Sequence, residues 1–151
     1  MNDTIKNVAE RITWLVKVIT PLLEKIPENE FSHKPNPQKW SKKQIIGHLI
    51  DSASNNHHRF IRSRIEDVPT IFYNQDEWNN LSHYNEMKPE NVIKLWAYYN
   101  TFIAHLVSNI PENELVKKCR SGSEKEYTLE FIISDYVDHM EHHLKQVVQY
   151  N

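Results

Sequence analysis

Apolar residues recur every three or four positions through four long stretches, and this period constrains the chain more than any other feature. In the first stretch Ile5, Val8, Ile12, Leu15, Ile19, Leu22 and Ile26 fall on one face of a helix. Pro21 is expected to kink or break that helix, and Pro27 to end it. Ser41 followed by Gln44 reads as a capping box opening a second helix to about Glu66, with Ile45, Leu49, Ala53 and Phe60 inward. Pro89 suits the first turn of a third, whose seam is Val92, Trp96, Tyr99, Ile103, Leu106 and Ile110. Thr128 can cap a fourth, with Ile133, Val137, Met140, Leu144 and Val147 inward. Residues 67–88 read as irregular, with room for a short helix around Trp78. No strand pattern competes, and two glycines in 151 residues argue against tight-turned sheets and phosphate loops. The expected fold is all-α: a four-helix bundle in one domain spanning residues 1–151.

The two halves echo one another. Ile26-Pro-Glu-Asn-Glu-Phe31 returns as Ile110-Pro-Glu-Asn-Glu-Leu115, and Trp40-Ser41 with Ile45-Ile46 returns as Tyr127-Thr128 with Ile132-Ile133. The first match alone could be a common helix stop. The second, in the same order and at nearly the same offset, points to helix–loop–helix occurring twice, and so to a pseudo-two-fold bundle of helix pairs.

Charge and cysteine content narrow the function. Eighteen Lys and Arg against 20 Asp and Glu leave a net charge of −2, with no basic excess to neutralise phosphates, so no nucleic-acid partner is expected. No apolar run is long enough to span a membrane, and the first residues lack the order of a signal peptide. A single cysteine, Cys119, excludes a disulfide framework and fits a reducing cytoplasm.

Nine histidines are many for this length, and their faces matter more than their number. At about 100° per residue, His48, Ser52, Asn55 and Arg59 form one stripe beside the apolar seam of the second helix. His139, His143 and Gln146 form a stripe at the same offset on the fourth. Imidazoles at i and i+4 can converge on one metal ion, and His48 from a second helix completes a three-His site with open positions, as a catalytic metal requires. Zn²⁺ or Ni²⁺ is the expected ion. Asp51, one turn beyond His48, is a candidate to orient an imidazole or accept a proton, or else a solvated carboxylate. Asn55 and Arg59 are candidates to hold an anionic part of a substrate or cofactor, Arg59 alternatively pairing with a carboxylate such as Asp135. His57 is expected in solvent, and His33, His58, His83, His105 and His142 have no assigned role. Cys119 sits in a polar loop with no neighbouring His and is not expected to be a nucleophile.

Trp40-Ser41, the block Gly47-His48-Leu49-Ile50-Asp51-Ser52 with Asn55, Asn56 and Arg59-Phe60, the stretch Tyr73-Asn74-Gln75-Asp76-Glu77-Trp78, and Asp138-His139-Met140-Glu141-His142-His143-Leu144-Lys145-Gln146 together resemble the DinB/YfiT-like metalloprotein superfamily. That resemblance spans essentially the whole chain. It implies an up-down-down-up four-helix bundle with a divalent metal on His48, His139 and His143. It also implies pairing of bundles into homodimers, to which the aromatic-rich third helix (Trp96, Tyr98, Tyr99, Phe102) would lend apolar surface. Members are described as metal-dependent hydrolases, and some transfer low-molecular-weight thiols such as bacillithiol, mycothiol or glutathione. The leading expectation is therefore a metal-dependent thiol S-transferase acting on a small electrophile. The alternatives are a hydrolase of a small ester or amide, and a non-catalytic metal-binding or interaction module. The absence of H-E-x-x-H on the His139 helix disfavours a protease.

Overall fold

The computed structural model describes residues 2–151. Four long helices, α1 (Asp3–Glu24), α3 (Lys42–Ile65), α5 (Pro89–Ser108) and α6 (Leu129–Leu144), enclose one core; α2 (Glu28–Phe31) and α4 (Gln75–Ser82) are short. Three of the four long helices begin at a residue whose side chain serves free N–H groups. Asn2 accepts from Thr4 and Ile5, Ser41 forms the full capping box with Gln44, and Thr128 accepts from Phe131. Such caps contribute about 1 kcal/mol each. Pro89, lacking the N–H, fills the first turn of α5. Pro21 does not break α1, which runs through it to Glu24; so near the C-terminus the missing N–H costs a single helical bond.

α1 and α3 each pack on α5 and α6, so the two long helices of each half, α1 with α3 and α5 with α6, lie diagonally across the bundle. Two long connections make this possible. In both, a proline in extended backbone (Pro27, φ −61° and ψ 146°; Pro111, φ −62° and ψ 141°) starts a single turn that drops Phe31 or Leu115 into the core. The repeated Ile-Pro-Glu-Asn-Glu motif thus becomes a repeated turn, and the pseudo-two-fold exchanges α1 with α5 and α3 with α6.

The core follows the seams with shifts: Ile46 rather than Ile45 is enclosed on α3, Leu23 rather than Leu22 on α1, and the inner face of α5 is rotated. Val92, Trp96 and Ile103 are fully enclosed, but Ile93, Asn100 and Val107 complete the face, while Tyr99 and Leu106 lie at its edge. Asn100 is 0% exposed, and its amide is satisfied by donating to the Trp96 carbonyl and accepting from the Tyr136 hydroxyl at 2.5 Å. Because Trp96 is wholly internal, Leu95, Tyr98 and Phe102 are what α5 leaves exposed.

The expectation of a strand-free chain needs correction. β1 (Lys118–Arg120) and β2 (Glu126–Thr128) form an antiparallel hairpin with Cys119 opposite Tyr127. Three-residue strands carrying mixed charge are too short to show a period of two. The hairpin turns at Gly122, whose φ of +134° is open to glycine without strain. Arg120 also exchanges backbone hydrogen bonds with Pro69 and Ile71, tying the segment after α3 to the hairpin. Among the described residues no helix is long and apolar enough to cross a membrane.

Candidate metal centre

His48, His139 and His143 meet where α3 packs on α6. Their candidate donor nitrogens all lie within 4.8 Å of one another, and among the described residues they are the one such cluster of His, Cys, Asp or Glu. His48 Nε2 is 3.1 Å from His139 Nε2. Donors 2.0–2.1 Å from a common ion would be separated by roughly 3.3 Å in a tetrahedron and about 2.9 Å in an octahedron. The observed edge fits either.

The surroundings keep these rings neutral. Burial, then the neighbouring His139 and His143, push His48 down to about 3. His139 is lowered to about 4, first by burial and then by His143, and His143 is lowered chiefly by burial. A neutral imidazole has a lone pair to donate; an imidazolium has none. Two neighbours fix ring orientation. The Trp40 ring lies 4.9 Å from His48, tilted by 32°, and Gln146 Oε1 is 3.0 Å from His143 Nδ1. His48 Nδ1 is buried without a hydrogen-bond partner. The donor set, its spacing and its neutrality fit a divalent cation.

A cavity of about 250 Å³ opens beside His139, walled by Ser52, Asn56 and Arg59 of α3, Asp135 of α6, and the aromatic rings of Tyr73 and Tyr127. Arg59 is positioned by donating from Nε and one terminal nitrogen to the Ile71 carbonyl, and from the other to Asn56 Oδ1. It forms no ion pair with Asp135, the carboxylate the sequence offered it.

The other candidates sit differently. Asn55 is buried and donates back to the Asp51 carbonyl; Asn56, one residue on, faces the cavity in its place. Asp51 is 3% exposed and bonds no imidazole. Its Oδ1 accepts from the Tyr84 hydroxyl at 2.6 Å, and its Oδ2 has no partner. Burial raises its pKa to about 6, Tyr84 opposing this. Tyr84, absent from the sequence reading, arrives from the turn after α4 and lies on Gly47, where any side chain would strike its ring. No local pattern marks a loop tyrosine for that place. His57 is not free in solvent as expected: it is half-buried against Phe102 and 3.0 Å from the Tyr99 hydroxyl. His33, His58, His83, His105 and His142 are exposed, and Cys119 is 0% exposed.

Comparison with known proteins finds relatives and a solved structure of the same fold. The chain is 26% identical over 112 residues to "Putative metal-dependent hydrolase YfiT" of Bacillus subtilis (strain 168), covering 73% of this chain and 63% of that one, under two thirds of its length. It is 25% identical over 141 residues to "Putative metal-dependent hydrolase BH0277" of Halalkalibacterium halodurans, covering 93% of this chain and 82% of the relative. The solved structure of YfiT from Bacillus subtilis, described as having an unusual four-helix bundle topology, matches with a TM-score of 0.87 at 19% identity, over 97% of this chain and 85% of that one. Residues 11–147 match the DinB superfamily as a whole, and the chain belongs to that superfamily.

Proposed function

We propose that this protein is a metal-dependent enzyme that transfers a low-molecular-weight thiol onto a small electrophile, with His48, His139 and His143 as the metal ligands. The observation that carries the reading is the convergence of three neutral imidazoles beside a cavity large enough for a small molecule. A divalent ion there, Zn²⁺ or Ni²⁺, supplies Lewis acidity that lowers the pKa of a thiol or water brought to it. The chain's own residues do the rest. Trp40 and Gln146 hold the ligand rings, Arg59, steadied by Asn56, presents donors to the polar part of the substrate, and the Tyr73 and Tyr127 rings shield its apolar part. No protein nucleophile is needed, in keeping with an enclosed Cys119 whose thiol burial holds above its usual pKa.

Metal-loaded protein incubated with bacillithiol, mycothiol or glutathione and a panel of small electrophiles tests this directly. Thiol consumption should accelerate, His48→Ala should abolish the effect, and Cys119→Ser should leave it intact. The names of the relatives favour a second reading, hydrolysis of a small ester or amide. It wins if the thiols are inert while ester or amide cleavage is lost in His48→Ala. Retained metal with neither activity identifies a binding module.

Two further expectations belong to this reading. Exposed Leu95, Tyr98 and Phe102 on α5 offer apolar surface for a two-fold homodimer, which light scattering at micromolar concentration checks. A lone cysteine and a free-thiol substrate both suit a reducing compartment, so a cytoplasmic location is expected, to be checked by cell fractionation.

A further inference from the structure

The internal repeat passes through the functional site itself. Ser41 and Thr128 cap α3 and α6 with nearly the same backbone (φ −69°, ψ 164° and φ −69°, ψ 154°). Counted from these caps, His48 corresponds to Asp135, Ser52 to His139, Asn56 to His143, and Arg59 to Gln146. Trp40, whose ring lies against His48, corresponds to Tyr127. Even a hydrogen bond is repeated: Gln146 contacts the His143 ring, and Arg59 donates to Asn56. His48 packs against His143, while Arg59 and Asn56 share a cavity with Asp135, so α3 and α6 run antiparallel and the pseudo-two-fold passes between Ser52 and His139. On one side of that axis stands the histidine triad. On the other, the positions equivalent to the three histidines are Asp135, Ser52 and Asn56, and all three line the cavity.

The cavity is thus the counterpart of the triad, with ligand imidazoles replaced by groups that recognise rather than coordinate metal. It carries one full charge of each sign. Arg59 retains an uncommitted N–H on each terminal nitrogen after bonding Ile71 and Asn56, and Asp135 has no cationic partner among the described residues. Opposite charges held unpaired around one small cavity match a ligand bearing both. We propose that this cavity binds the zwitterionic end of a small α-amino acid or amino-acid-derived molecule, its carboxylate on Arg59 and its ammonium on Asp135, with its side chain directed past His139 to the triad. At about 250 Å³ and open on one side, the space takes the zwitterionic end of such a molecule and leaves the rest free to extend beyond it. The assignment deepens the proposed function by naming the substrate class of its site.

The test is titration of the purified chain followed by amide NMR, with and without Zn²⁺, using L-cysteine, L-serine, N-acetyl-L-cysteine (no ammonium) and cysteamine (no carboxylate). Serine should shift Ser52, Asn56 and Asp135 signals even in metal-free protein, and cysteine should bind more tightly once Zn²⁺ is present. N-acetyl-cysteine and cysteamine should each bind about tenfold more weakly than cysteine, because each leaves one charged group without its partner. Asp135→Asn, at an exposed position that the fold tolerates, should erase the preference against N-acetyl-cysteine and keep that against cysteamine. Equal binding of all four probes, or a preference unchanged in Asp135→Asn, overturns the assignment even where metal binding is intact. Serine binding with the expected charge preference in a protein that takes up no Zn²⁺ would instead sustain it and defeat the metal-enzyme reading.

Discussion

His48 Nε2 and His139 Nε2 stand 3.1 Å apart although 91 positions separate them in the chain. One belongs to the first half of the repeat and the other to the second, so the pair exists only when both halves are folded and docked. An unfolded chain does not present this geometry, which couples metal binding to stability. Zn²⁺ at one hundred times its Kd should stabilise the protein by about 2.7 kcal/mol, a rise in Tm of roughly 5–10 °C. About one ion per chain should be found by elemental analysis of untagged protein. Full occupancy in a His139→Ala, His143→Ala double variant would refute the site.

The buried Asp51 should give stability a pH dependence of unusual sign for a carboxylate. Its folded pKa of about 6 lies above the roughly 3.9 of an unfolded aspartate, so between these values the folded state binds more protons. Stability from this group is present below about pH 4 and is lost as pH rises through 6. Asp51→Asn keeps an acceptor for Tyr84 without the charge, and should gain about 1–3 kcal/mol over the parent at pH 8, and clearly less at pH 5. Urea unfolding at the two pH values measures both; a gain no larger at pH 8 than at pH 5 counts against it.

Gly47 is held to its identity by Tyr84, whose ring occupies the space a Cβ would take. Gly47→Ala should displace the ring from Asp51 and cost about 1–3 kcal/mol, read as a fall in Tm. An unchanged Tm would mean that Tyr84 yields freely.

Tyr136→Phe keeps the edge contact with Phe60 and removes the hydroxyl that Asn100 Oδ1 accepts from. The orphaned amide oxygen should cost about 1–3 kcal/mol, and adding Asn100→Leu should recover part of it. Denaturant midpoints of the single and double variants decide the case.

Much of this was legible in the chain because it is periodic. Helix faces and the shared stripe of His48 with His139 and His143 follow from about 100° per residue, and the Ser41 and Thr128 caps from their side-chain oxygens. The same arithmetic erred by a small rotation. From His48, Asn55 lies about 20° to one side and Asn56 about 80° to the other, and the cavity lies on the Asn56 side. What stayed hidden depends on contacts between distant segments. Tyr84 reaches Asp51 from a loop, Asn100 meets Tyr136 inside what reads as an apolar seam, and Cys119 enters the core on a strand of three residues.

The correspondence of His48 with Asp135 has an evolutionary consequence. A symmetric assembly of two separate helix pairs would carry the same side chain at both positions: two histidines, or two aspartates. Once both pairs lie on one polypeptide, each position mutates on its own, and a doubled site can divide its labour. The histidine of the triad and the charged residue across the axis are a difference that a joined chain can inherit.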